Sequence, residues 1–338
     1  MRGGWVFTFS LALWVTLSGC EGSTPEPGFE ADSTIVEAGQ LPSLEGVNLD
    51  LVNFEILPGD DFYRFANGMW LDSYELPADK SSFGNFYELY ELSQERVQIL
   101  IEELAAAGPE MGSVEQKIGD YFASFLDQDA LDELGIEPIR EELDGIASIQ
   151  THIELAQAFG RSSRVASSSP FGFGVEVDRK NPARWITGIS AQGIGLPDRD
   201  YYLEDSERFA GIRDQYQAHI GKMLEFDEYP NATDPAPAVL DLETRIAEIQ
   251  WPRVDRRNRD LTYNLRTVAA IEVEYPGFPW RAFFAAAGVV PEELNVHHPS
   301  TVAPLVEIIN DTALETWKAY LTYHLIANNA AFLARAID

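Results

Sequence analysis

The sequence predicts a mainly α protein with one small β-hairpin near residues 171–190. Apolar residues recur at helical spacing in several separate stretches, and one stretch alone alternates at period two. Apolar residues make up 45% of the 338, with seven Trp, so the chain has a sizeable core to bury.

The elements follow in chain order. Residues 1–19 have the composition of an export signal: Arg2 supplies a basic start, and Trp5 to Leu17 is an apolar run too short to span a bilayer. The run ends in Leu17-Ser18-Gly19-Cys20, which resembles a bacterial lipobox. That resemblance implies lipidation of Cys20, an acyl anchor in place of a membrane helix, and a periplasmic or outer-membrane position in the cell envelope. The alternative is an ordinary secretory signal with a chance cysteine. Residues 20–45 are rich in Glu, Pro, Gly and Ser and lack apolar periodicity, the composition of a flexible acidic tether reaching about 25–30 Å. The ordered body is expected over 46–338.

In Asp60 to Leu71, apolar residues at Phe62, Phe65, Met69 and Trp70 predict helical turns facing a core, with Gly68 at a helix end or a close contact. Ser81 to Phe86 reads as a loop entering a helix. Leu89, Leu92, Val97, Leu100, Ile101 and Leu104 then give an amphipathic spacing. Ser113 with Gln116 forms a capping-box pattern ahead of Val114, Ile118, Phe122 and Phe125. Phe171 to Asp178 alternates, Lys180-Asn181-Pro182 offers a turn, and Arg184 to Ser190 alternates again; this is the hairpin. Val239, Leu242, Ile246 and Ile249 form another helical stripe, and Thr312 to Ala336 predicts a long apolar helix.

Charge and cysteine content narrow the function. With 24 basic and 55 acidic residues and no basic run, the chain is a poor match for nucleic acid. Cys20 is the only cysteine, so the mature fold has no intrachain disulfide, Cys-based zinc site or thiol nucleophile.

A thermolysin-like zinc site needs His-Glu-x-x-His on a helix, because a spacing of four puts both imidazoles on one face beside the base. Among His152, His219, His297, His298 and His324 no pair has that spacing, and the Glu292–Pro299 surroundings of His297 and His298 predict a loop. Gly188-Ile189-Ser190-Ala191-Gln192 misses the nucleophile elbow at its last position. These residues yield no complete catalytic set and no metal site. Arg253, Arg256, Arg257 and Arg259 make a basic island in an acidic chain, open to two readings: salt bridges with the surplus carboxylates, or recognition of a substrate carboxylate.

The most specific segment is Gly193 to Leu203, containing Gly195-Leu196-Pro197-Asp198-Arg199-Asp200-Tyr201-Tyr202. With Pro58 to Trp70, Pro77 to Ser81 followed by Gly84 and Phe86, Leu242 to Trp251, and Thr262-Tyr263-Asn264, it resembles in order the N-terminal half of the neprilysin and endothelin-converting-enzyme family of zinc metallopeptidases, in its bacterial oligopeptidase branch.

The resemblance implies a helical lobe of a two-lobed enzyme around a cavity, oligopeptide substrates, and zinc held by a C-terminal catalytic half that is absent after Asp338. It implies no zinc bound by this chain, which alone is expected to be inactive. It also marks Ser82, Phe86, Tyr87 and Tyr90 as substrate-pocket candidates, although the three aromatics suit a helix core equally well. Many members place Arg where this chain has Ser82, and a serine cannot form a bidentate ion pair. A peptide-binding or interaction lipoprotein without catalysis is the rival expectation.

Overall fold

The computed structural model describes residues 48–77, 80, 82–229 and 231–338. The expected signal segment, Cys20 and the tether lie outside these residues, as do Ala78, Asp79 and Ser81. The chain divides into two compact units, Met1–Glu91 and Leu92–Asp338.

In the first unit, α1 (Phe62–Ser73) begins where Asp61 caps the Arg64 N–H at 2.8 Å. Gly68 lies inside this helix rather than at its end, and a Cβ there would stand 2.7 Å from Cβ of Asn53. The glycine therefore serves a close contact, made where the Asn53 N–H donates to the Phe65 carbonyl at 2.8 Å. The core-facing expectation for α1 is corrected: Phe62 is 68% and Met69 50% exposed, and only Gly68 is buried.

Helix α2 (Asn85–Ala106) starts where the loop was expected to end and crosses the division between units. None of its residues is buried, so its apolar stripe is uncovered. Helix α3 (Val114–Leu126) is capped by Ser113, whose Oγ accepts from the Gln116 N–H at 3.1 Å. The return half of the predicted capping box is shifted by one residue: Gln116 accepts from the Gly112 N–H.

The second unit continues through α4 (Gln128–Leu134), α5 (Arg140–Ala147) and α6 (His152–Arg161), the last with a complete Thr151–Glu154 capping box. The hairpin follows: β1 (Phe171–Val177) pairs antiparallel with β2 (Trp185–Ala191), Phe171 opposite Ala191. Then come α7 (Asp200–Leu203), α8 (Glu207–Glu225), α9 (Ala236–Ile249), α10 (Arg253–Arg256), β3 (Leu265–Thr267), α11 (Val268–Glu274), α12 (Trp280–Ala287), β4 (Glu293–Val296), α13 (Pro299–Asp311) and α14 (Leu314–Asn329).

The hairpin is thus part of a four-stranded sheet ordered β1-β2-β4-β3. Strand β4 runs parallel to β2 and antiparallel to β3. The expected loop before His297 is therefore a strand up to Val296, and the helix expected to reach Ala336 ends at Asn329. The core is helical and aromatic, with Phe159, Trp280, Phe283, Trp317 and Tyr320 each below 2% exposure.

Candidate functional site

The motif loop leaves β2 and is fastened from both ends. The Gln192 N–H donates to the Pro170 carbonyl at 2.9 Å, and the next residue, Gly193, turns with φ 90°. The Gly195 and Leu196 N–H groups then both donate to the Tyr202 hydroxyl, at 3.1 and 2.8 Å. The Tyr202 hydroxyl in turn donates to Glu243 Oε2 at 2.5 Å.

Glu243 on α9 is fully buried and collects further partners. Its Oε2 also accepts from the Gly195 N–H at 3.1 Å and from the Tyr216 hydroxyl at 2.9 Å, while His324 Nε2 lies 2.7 Å from Oε1. Burial, reinforced by the Glu243 charge, pushes the Tyr202 and Tyr216 hydroxyls far above the ordinary phenol range, so both stay protonated and donate. A buried acceptor of this kind is tolerable only when its lone pairs are met, and here α7, α8, α9, α14 and the motif loop all converge to meet them.

The rest of the motif is tied down separately. Asp198 is 6% exposed and accepts from Arg253 Nε and Arg256 at 2.8 Å each. Burial acts to raise its pKa, but the Arg253 hydrogen bond, the Asp200 N–H and the Arg256 charge outweigh that and lower it. Arg199 donates to the Gln250 carbonyl, Asp200 opens α7, and Tyr201 packs its ring 4.9 Å from Phe209. Leu196, Pro197 and Asp198 line a cavity of about 320 Å³ together with Ser162 and Ser167. The salt-bridge reading of the basic island is met by Arg253 and Arg256, whereas Arg257 and Arg259 join no ion pair among the described residues.

The pocket candidates lie in the first unit and are exposed. Ser82 precedes α2, and on that helix Phe86 is 91%, Tyr87 45% and Tyr90 59% exposed. A ladder of rings runs from Trp70 to Tyr74 (4.9 Å), Phe83 (4.6 Å), Tyr87 (6.0 Å) and Tyr90 (6.2 Å). Lys80 places Nζ 5.3 Å from both the Phe83 and the Tyr87 ring centres. Lys80 is also ion-paired with Glu91, so what this surface offers an extended ligand is stacking.

Among the described residues, no three His, Cys, Asp or Glu side chains converge as a metal site. His324 is committed to Glu243, His297 Nε2 faces Glu176 at 3.2 Å, and the His297 and His298 rings sit 6.3 Å apart. These residues do not fit a catalytic zinc.

Sequence reasoning missed Glu243 and His324 as a pair. The signal was present: Glu243 falls on the same helical face as Val239, Leu242 and Ile246, and His324 stands between Leu321 and Leu325, where a polar residue needs a buried partner.

Comparisons with known proteins agree with this architecture. The model of the N-terminal part of peptidase family M13 matches residues 58–338. Endothelin-converting enzyme 1 of Rattus norvegicus is 26% identical over 295 residues, covering 82% of this chain and 38% of that protein. The crystal structure of the Mycobacterium tuberculosis zinc metalloprotease Zmp1 in complex with an inhibitor superposes with a TM-score of 0.79 at 33% identity, over 86% of this chain and 45% of that one. PepO of Lactobacillus rhamnosis shares the fold at a TM-score of 0.67 and 21% identity, over 83% of this chain and 45% of that one. The chain thus spans less than half the length of these relatives. By the match over residues 58–338, the chain belongs to peptidase family M13, the neprilysin and endothelin-converting-enzyme family of zinc metallopeptidases, through its N-terminal part.

Proposed function

We propose that this chain is the N-terminal, substrate-enclosing region of a zinc-dependent metalloendopeptidase acting on oligopeptides. The reaction of such an enzyme is hydrolysis of a peptide bond by zinc-activated water. In this reading the zinc and the general base belong to the C-terminal catalytic half, and this chain contributes binding surface and restricts access. Phe86, Tyr87 and Tyr90 offer rings to a peptide backbone or side chain, and Ser82 contributes only a hydroxyl. The protein is held at the cell envelope through lipidated Cys20. The observation that supports the reading most directly is the superposition on the zinc metalloprotease Zmp1 over 86% of this chain.

Two measurements test it. A His-Glu-x-x-His encoded downstream of the Asp338 codon is expected, and a stop codon there favours a binding lipoprotein instead. The purified chain is expected to hold no stoichiometric zinc and to leave a quenched fluorescent peptide intact. Chelator-sensitive cleavage by this chain alone overturns the division of labour.

A further inference from the structure

Two separate parts of the second unit bring positive charge to one place, with two imidazoles from a third beside them. Arg179 follows β1 at the hairpin turn, Arg256, Arg257 and Arg259 come from the basic island, and His297 and His298 occupy the β4–α13 junction. With Ser190 and Thr262 they line an open pocket of about 450 Å³, and none of the lining residues is an Asp or Glu. In a chain with 55 acidic and 24 basic residues, a carboxylate is the commonest available neighbour for an arginine. Of the four guanidinium groups on this wall, Arg179, Arg257 and Arg259 meet no carboxylate among the described residues, which leaves them open to a counter-anion from outside.

Arg179 is positioned rather than neutralised. Arg179 donates to the Thr262 hydroxyl at 3.2 Å, the Thr262 carbonyl at 3.0 Å and the Arg259 carbonyl at 3.3 Å, all neutral acceptors. Arg256 gives one nitrogen to Asp198, but its Nε is buried and has no partner. Two nearby acids are engaged: Asp198 with Arg253 and Arg256, and Glu176 with Asn295 and His297. The field is also felt by the imidazoles. Burial, then His297 and the Arg256 charge, push His298 down to about 4.

We propose that this pocket is an oxyanion-binding site for a ligand bearing two or more phosphate or carboxylate groups. Guanidinium groups bind such oxygens in bidentate pairs, and several on one wall select a multivalent anion over chloride. The site lies among residues with no part in the proposed peptidase chemistry, and its test reads binding without cleavage.

The full chain is titrated calorimetrically with pyrophosphate, with citrate and with a pentaglutamate peptide, at ionic strength matched with sodium chloride. Saturable one-site binding of at least one probe is expected. Tighter pyrophosphate assigns the site to phosphates; tighter citrate or peptide assigns it to carboxylates on a free acid or a chain. The double variant Arg257→Gln, Arg259→Gln should weaken binding by about tenfold or more. Both residues are exposed and join no ion pair among the described residues, so the fold should survive. Arg281→Gln, whose partner is Glu272, should leave binding unchanged. Absence of saturable binding by all three probes, or equal affinity in the double variant, overturns the proposal.

Discussion

The Tyr202 hydroxyl donates to Glu243 Oε2 at 2.5 Å across 41 residues of sequence, and through that bond the motif loop is locked to helix α9. Because the same oxygen on Tyr202 accepts from two backbone N–H groups, its loss leaves both without this acceptor. Tyr202→Phe should destabilise the chain by about 2 kcal/mol in denaturant unfolding. Glu243→Ala removes the acceptor for both tyrosines and the partner of His324, and should reach roughly 3–5 kcal/mol. Tyr201→Phe, one position away and outside the network, should stay within about 0.5 kcal/mol. Equal losses at Tyr201 and Tyr202 would count against a specific network.

Gly195 is needed because of what stands opposite it. A Cβ there would lie 2.0 Å from the Tyr216 hydroxyl oxygen and 2.9 Å from its ring carbon, and Tyr216 is pinned by Glu243. Gly195→Ala should destabilise by about 1–3 kcal/mol or more. Removing the opposing oxygen relieves part of the clash, so Gly195→Ala with Tyr216→Phe should lose less than the sum of the two single changes. Strict additivity would show that the methyl group is accommodated elsewhere.

Acid stability should depend on Asp178. Burial acts to raise its carboxyl pKa, but the Lys180 N–H, Arg184, the Tyr263 hydroxyl and the Asn181 N–H outweigh that and hold it at about 2. An unfolded Asp titrates at about 3.9, so the folded value is the lower one. Its contribution is then complete above about pH 4 and is lost as pH falls toward 2. Asp178→Asn should flatten the dependence of melting temperature on pH in that window. An unchanged slope would mean the hydrogen bonds to Asp178 are already broken in solution.

How far the sequence could be read follows from what each element depends on. Helices over 85–106, 114–126 and 236–249 announce themselves by local periodicity and, at Ser113, by a cap. The hairpin alternates over seven residues per strand, enough to see. Strands β3 and β4 have three and four residues and exist only through pairing with distant chain, Thr187 opposite Leu294 among others. The end of α14 is likewise tertiary: the apolar pattern runs on, but Asn329 Nδ2 donates to the Leu325 and Val165 carbonyls. Periodicity marked the apolar faces of α1 and α2, but burial needs a partner surface, and a pattern within one helix does not supply it.

The uncovered apolar face of α3 has a measurable consequence. On α3, Val114 is 65%, Tyr121 70% and Leu126 59% exposed, and with Ile101, Ile118 and Phe125 the first two border an apolar pocket of about 450 Å³. Exposed apolar area of this kind binds amphiphilic dyes. The isolated chain should enhance the fluorescence of such a dye. Replacing Val114, Tyr121 and Leu126 together with Ser should lower the signal, with stability changed by no more than about 0.5 kcal/mol per site. A dye-silent chain would show these faces to be covered in solution.

Ser82 gives the sharpest handle on substrate choice within the proposed function. An arginine can grip a terminal carboxylate with two parallel hydrogen bonds, whereas a serine offers a single neutral hydroxyl. Ser82 is exposed at the entry to α2, so the larger side chain meets no packing penalty there. In the enzyme assembled with its catalytic half, Ser82→Arg should raise the preference for a free peptide C-terminus over its amide by about tenfold in kcat/KM. Phe86→Ala should behave differently. The ring is 91% exposed, so the melting temperature should hold while KM rises for free-acid and amide peptides alike. If Ser82→Arg leaves the acid-to-amide ratio untouched, the α2 entrance does not contact the substrate terminus, and the aromatic ladder must be tested for another partner.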